Sequence, residues 1–188
     1  MSEQEVSALK NQLALRGKVI DAIADTMDLY GVTHSAGKLY GILFFEEAPM
    51  TLEDMKDVMG MSKSNMSYAV RVLLDTKMVQ KLENKQERKD LYQAEGNFFT
   101  AFQNFFATKL QREIQVMMTA IDETTPGLKE LILHIDTPEE VRRQALKDLH
   151  KLVHAEQYYQ WLQTFVDHIK EGKIFQQVTG SEAAAPPS

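Results

Sequence analysis

Apolar residues at Leu9, Leu13, Val19, Ile20, Ile23 and Met27 recur at steps of three and four. That is the repeat of one helix face, and it predicts a helix over Val6–Leu29 with Gly31 as its stop. Ser35 opens a second helix with Leu39, Ile42 and Leu43 inward, ending before Ala48-Pro49. Thr51 followed by Asp54 has the spacing of a capping box, and it leads a short helix carrying Leu52, Met55 and Met59. Gly60 interrupts that helix, and Ser62 is placed to cap another with Met66, Ala69, Val70 and Leu73 on its apolar side. Two short helices joined by a tight glycine turn are the signature of a helix-turn-helix.

The period then changes from helical to alternating. Met78–Leu82 and Lys89–Gln93 alternate apolar with polar residues around a charged tip at 83–88, which predicts a β-hairpin. A hairpin directly after a helix-turn-helix defines a winged helix, so the expected fold class is mainly α with a small β-hairpin wing. Further on, a long helix is expected from Asn97 to Glu123, stopped by Thr125-Pro126-Gly127, with a short helical piece over Leu128–Ile135. Thr137-Pro138 then starts a last helix reaching Lys170. This divides the chain into an N-terminal helix for dimerisation or linkage (1–34), a winged helix-turn-helix DNA-binding domain (35–95), a helical dimerisation region (96–172) and a disordered tail (173–188). The outer helices carry wide apolar faces with little to bury them against, which points to a homodimer.

Composition narrows the classes. No apolar run reaches 18 residues, and the N-terminus lacks a basic segment followed by an apolar one, so neither a membrane span nor a secretory signal is expected. There is no cysteine, hence no disulfide framework or thiolate metal site, and a cytoplasmic protein is the expectation. The net charge of −6 runs against binding a polyanion. Between Met61 and Asp90, however, seven basic residues stand against four acidic ones, and a local field matters more for steering than the total.

On the second helix of the motif, Lys63, Ser64, Asn65, Ser67, Tyr68 and Arg71 face away from the apolar side. Asparagine can read adenine, lysine or arginine guanine, and hydroxyls either. The first turns of a recognition helix meet the bases, which assigns base contacts to Lys63, Ser64, Asn65 and Ser67 and a phosphate contact to Arg71. Lys85, Arg88 and Lys89 at the hairpin tip can follow a phosphate backbone or enter a minor groove. The same residues would also serve as an ordinary solvated face. A winged-helix adaptor that binds protein instead of DNA is an alternative, against which the basic recognition helix speaks.

Thr26–Phe106 resembles the GbsR-type branch of the MarR-like repressors, through Gly37-Lys38-Leu39-Tyr40-Gly41, the Met61–Ser67 turn and Arg88-Lys89-Asp90. Tyr68 stands where many relatives carry arginine. The resemblance implies a dimeric repressor of genes for uptake or synthesis of compatible solutes of the choline, glycine betaine or ectoine type. It also implies an effector held in an aromatic cage between the DNA-binding module and the dimer helices.

The residues offer material for such a cage. Phe98, Phe99, Phe102, Phe105 and Phe106 crowd the start of the long helix. At about 100° per residue, Phe99 and Phe106 continue into the stripe of Leu110, Met117 and Ile121, while Phe98 and Phe105 fall to one side. With Tyr30, Tyr40, Phe44 and Phe102 they can surround a quaternary ammonium by cation–π contact. Aromatic rows at this spacing also arise as plain core.

His150 and His154, spaced i and i+4, offer a metal-responsive regulator as a rival reading. His168 lies about 21 Å along the axis from His154, too far to complete one site. No cofactor is implied. No glycine-rich phosphate loop, G-x-S-x-G elbow or H-E-x-x-H pair is present, so an enzyme is not expected.

Overall fold

The computed structural model describes residues 2–174 apart from Glu87, and the side chain of Lys85 is likewise outside the description. The described residues form two units that divide between Phe105 and Phe106, and the fifth helix runs from one into the other.

In the first unit, α1 (Glu3–Asp28) starts earlier than the apolar repeat indicates, because Ser2 and Glu5 form a reciprocal capping box. Its inward residues Ile20, Ala24 and Met27 meet α2 (His34–Phe45), capped by Thr33. The two helices approach closely at Gly37, where a side chain would collide with Ala24, and at Gly41, where it would crowd Ile20. This accounts for the Gly37–Gly41 motif: a glycine four residues from another clears one helix face for a neighbouring backbone. β1 (Met50–Thr51) is a two-residue strand that the alternation did not announce. Thr51 ends it and caps α3 (Leu52–Met59), with its hydroxyl donating to Asp54 Oδ2 at 2.7 Å and its amide to the same oxygen at 2.9 Å.

Gly60 closes α3 in the left-handed region at φ 61°, a conformation glycine adopts without strain. Ser62 caps α4 (Lys63–Asp75), and Met66, Ala69, Val70 and Leu73 on its inner side are buried, as the periodicity predicts. β2 (Val79–Gln86) and β3 (Lys89–Ala94) follow, and β3 lies between β2 and β1 in a three-stranded antiparallel sheet. The strands extend further into the predicted tip than expected. Gln86 pairs with Lys89, and Arg88 takes a positive φ of 67°, the backbone form tight hairpin turns use. A register shift lies between Lys81 and Lys85.

α5 (Phe98–Leu133) corrects the expectation of a break near 125: it passes through Pro126 and absorbs the separate piece expected at 128–135. A proline inside a helix removes one hydrogen bond and crowds the preceding turn, at a cost of about 3 kcal/mol. The residues beyond it, Leu128–Leu131, are good helix formers.

In the second unit α5 packs against α6 (Glu139–Lys170) as a helical hairpin. Ala107, Ile114, Leu162, Val166 and Ile169 form its buried centre. Pro138 caps α6 without a side-chain bond. Arg142 instead donates to the carbonyls of His134, Ile135 and Thr137, closing the connection. Ile174 still packs on this core, so helical structure extends past the expected start of the tail at 173. The rest of that tail, 175–188, lies outside the described residues.

Candidate nucleic-acid interface and aromatic cluster

The α4 cap turns the first residues of the helix outward. Lys63, Ser64, Asn65, Tyr68 and Arg71 are exposed, and Ser67 is half-buried beside Met66. The Asn65 backbone N–H donates to Ser62 Oγ at 3.3 Å, the bond that caps the helix. Lys63, Arg88 and Lys89 come together around one cleft of about 290 Å3, joined by Lys56 from α3. Lys85 lies opposite Asp90 in the sheet.

Two carboxylates order this cationic cleft. Glu53 receives Lys89 Nζ at 2.8 Å and ties the wing strand β3 to α3. The hydrogen bond and charge of Lys89, with Lys56 and Lys63 nearby, hold its carboxyl below the usual range. Asp90 receives Lys81 Nζ at 2.7 Å across the hairpin and holds that ammonium above its usual value. Lys56 was missed in the sequence because a lysine on the first helix of the motif looks like any solvated residue. Only the fold brings it beside Lys63 and the wing.

Several of the aromatic candidates touch one another. Phe44 lies against Phe98 with ring centroids 4.6 Å apart, meets Tyr40 at 6.2 Å, and touches Phe45 edge-on at 5.2 Å. Tyr30 and Phe105 meet edge-on at 6.2 Å. Tyr40 is 1% exposed and its hydroxyl donates to the Glu95 carbonyl at 2.9 Å. Burial, with the Glu95 charge, pushes its pKa well above the ordinary value. Tyr40 and Phe105 are thus built into the interior, whereas Phe98, Phe99 and Phe102 keep about half of their surface in solvent. Phe45 and Arg16 were not singled out in the sequence. Arg16 stands 5.1 Å from the Phe45 ring centroid, a pairing across 29 residues that no local pattern signals.

In α6, His150 and His154 are exposed. Among the described residues no group of three or more His, Cys, Asp or Glu side chains is arranged to hold a metal. No described helix is long and apolar enough to cross a membrane.

A helix-turn-helix with an exposed polar second helix and a three-stranded wing is the architecture of a winged-helix DNA-binding transcriptional regulator. Residues 98–176 match the family described as "GbsR family transcriptional regulator, C-terminal helical hairpin". The chain is 40% identical over 160 residues to the HTH-type transcriptional repressor GbsR of Bacillus subtilis (strain 168), covering 85% of this chain and 88% of that protein. It is 29% identical over 163 residues to the HTH-type transcriptional repressor OpcR of the same organism, covering 85% and 86%. The chain therefore belongs to the GbsR family of transcriptional regulators. A solved transcriptional regulator with 18% identity shares the fold at a TM-score of 0.50, covering 81% of this chain and 98% of that one. These relatives are regulators of transcription, not enzymes.

Proposed function

We propose that the protein is a dimeric repressor that sets the first turns of α4 into the major groove of a near-palindromic operator and lays the wing along the flanking backbone. The observation that carries this reading is the convergence of Lys56, Lys63, Arg88 and Lys89, from three separate elements, on one cleft. Set against Glu53 and Asp90 in the same cleft, these four cations still leave a local surplus of positive charge in a chain of net charge −6, where phosphates would lie. Lys63, Ser64, Asn65 and Ser67 read bases, Arg71 holds a phosphate, and Tyr68 flanks the contact. Dimerisation draws on apolar side chains left in solvent on both outer helices, among them Leu9 and Leu13 on α1 and Val153 and Trp161 on α6.

In the same reading a small quaternary ammonium solute, choline or glycine betaine, acts as effector at the start of α5. The half-exposed rings of Phe98, which lies against Phe44, and of Phe102 support this choice. A soft cation without hydrogen-bond donors finds its best protein partners in π-faces. Its leverage on DNA affinity equals its preference for one of two arrangements of the recognition helices, and the target genes are those of compatible-solute uptake or synthesis.

Thermal melting with a panel of choline, glycine betaine, ectoine and divalent metals tests the effector. A saturating stabilisation by a quaternary ammonium compound, lost on adding EDTA in no case and weakened in Phe98→Leu, is expected. A metal-dependent shift abolished in His150→Ala/His154→Ala would transfer the reading to the histidines.

A further inference from the structure

Arg16 is a cation that the protein has placed on its own aromatic row. Its guanidinium stands over the Phe45 ring, 5.1 Å from the centroid. Nη1 lies 3.2 Å from Glu46 Oε1, and the other terminal nitrogen donates to the Phe45 carbonyl oxygen. A π-face, a carboxylate and a carbonyl thus converge on one positive charge. Phe45 continues edge-on into Phe44, which lies against Phe98.

The inner part of this row is closed. At 4.6 Å between centroids Phe44 and Phe98 are in contact, and no cation fits between them. The outer face of Phe45 is the part of the row that binds a cation here, and Arg16 occupies it. The hold is modest: the Arg16 and Glu46 side chains keep 25% and 42% of their surface in solvent, and partly exposed ion pairs are weak.

We propose that the Phe45 face and the Glu46 carboxylate form a subsite for a small organic cation, and that Arg16 is its resident competitor. An incoming cation displaces the guanidinium and, with it, the tether between α1 and the C-terminal end of α2. The cost of displacing Arg16 lowers the apparent affinity of the free protein for the cation, as any occupied competitor does. This inference rests on the quaternary ammonium reading above and adds a second subsite, beside the α5 rings, and what the cation displaces there.

The test is titration calorimetry of the full chain with choline and with tetramethylammonium. Arg16→Gln removes the competitor and should tighten binding of both by roughly 3- to 10-fold. Arg16→Lys, which keeps the charge and loses the flat stacking surface, should tighten it less but in the same direction. Phe45→Leu and Glu46→Gln should each weaken it, in the Arg16→Gln background as well. An arginine with only a structural role gives the opposite sign, since its removal loosens the surroundings of Phe45. If the unmodified protein binds these cations and neither Arg16 variant binds them more tightly, the competitor role falls alone. If neither the unmodified protein nor the variants bind them, it falls together with the quaternary ammonium reading.

Discussion

A Cβ added to Gly37 would stand 2.8 Å from Ala24 Cα and 3.2 Å from Met27 Cβ. The first of these is closer than real side-chain carbons come to a backbone atom, so α1 and α2 cross almost backbone to backbone. Gly37→Ala must push the helices apart, and overpacking of this kind costs about 1–3 kcal/mol. Urea denaturation should show that loss. Ala substitution at Gly17, where a Cβ meets nothing within 4 Å, should be neutral or stabilising through its better helix propensity.

Tyr40 gives a pH signature. Its hydroxyl donates to the Glu95 carbonyl, and burial raises its pKa above the ordinary 10.0. The native state holds the phenolic proton more tightly than the unfolded chain does. Its contribution is therefore complete below pH 10.0 and is lost as pH rises from there towards the native pKa. Tyr40→Phe should cost about 1 kcal/mol near neutral pH. Above pH 10.0 the gap should shrink, because the variant has no phenol to ionise. Parallel pH-dependent melts of the two proteins would reveal the convergence.

Asn65 and the cleft cations are assigned different work. Asn65→Ala should alter preference between operator variants, since a base-edge contact carries about 1–3 kcal/mol of discrimination. Arg88→Ala and Lys56→Ala should weaken all sequences alike and lower the slope of log affinity against log salt by about one each. Fluorescence anisotropy across a salt series separates the two behaviours, and identical profiles for Asn65→Ala and Arg88→Ala would overturn the division of roles.

The chain has a single tryptophan, Trp161, 59% exposed on α6 and stacked on Phe165 with centroids 5.8 Å apart. If α6 lies in the dimer interface, dilution should shift its emission to longer wavelength as the ring returns to water. Trp161→Glu should move the sedimentation coefficient to that of a monomer and weaken operator binding, because a two-fold site is then held by one half.

Helix type, the Thr51 and Ser62 caps and the wing hairpin were legible along the chain because their causes are local. By contrast, α2 is capped by Thr33 and not opened by Ser35, and Pro138, not Thr137, caps α6. The three- and four-residue repeat of Met66, Ala69, Val70 and Leu73, the Ser62 cap and the Gly60 turn each act within one or two turns. The outward face of α4 follows directly from that repeat, so Lys63, Asn65 and Arg71 could be named from sequence. Pro126 shows where a local rule loses: between Thr125 and Gly127 it reads as a stop, yet α5 carries on through it.

What surrounds the candidate residues was decided by the tertiary structure. Lys56 joins Lys63 and Lys89 only because α3, α4 and β3 meet at one end. Arg16 reaches Phe45 only because the glycines of α2 let α1 lie against it. Among rings spaced alike on a helix, burial alone distinguishes Phe105, enclosed in the interior, from Phe98 and Phe102, which remain half in solvent. Spacing along a chain determines which residues share a face. What that face meets depends on elements distant in sequence, because non-local contacts, hydrogen bonds and burial form only when the chain has folded.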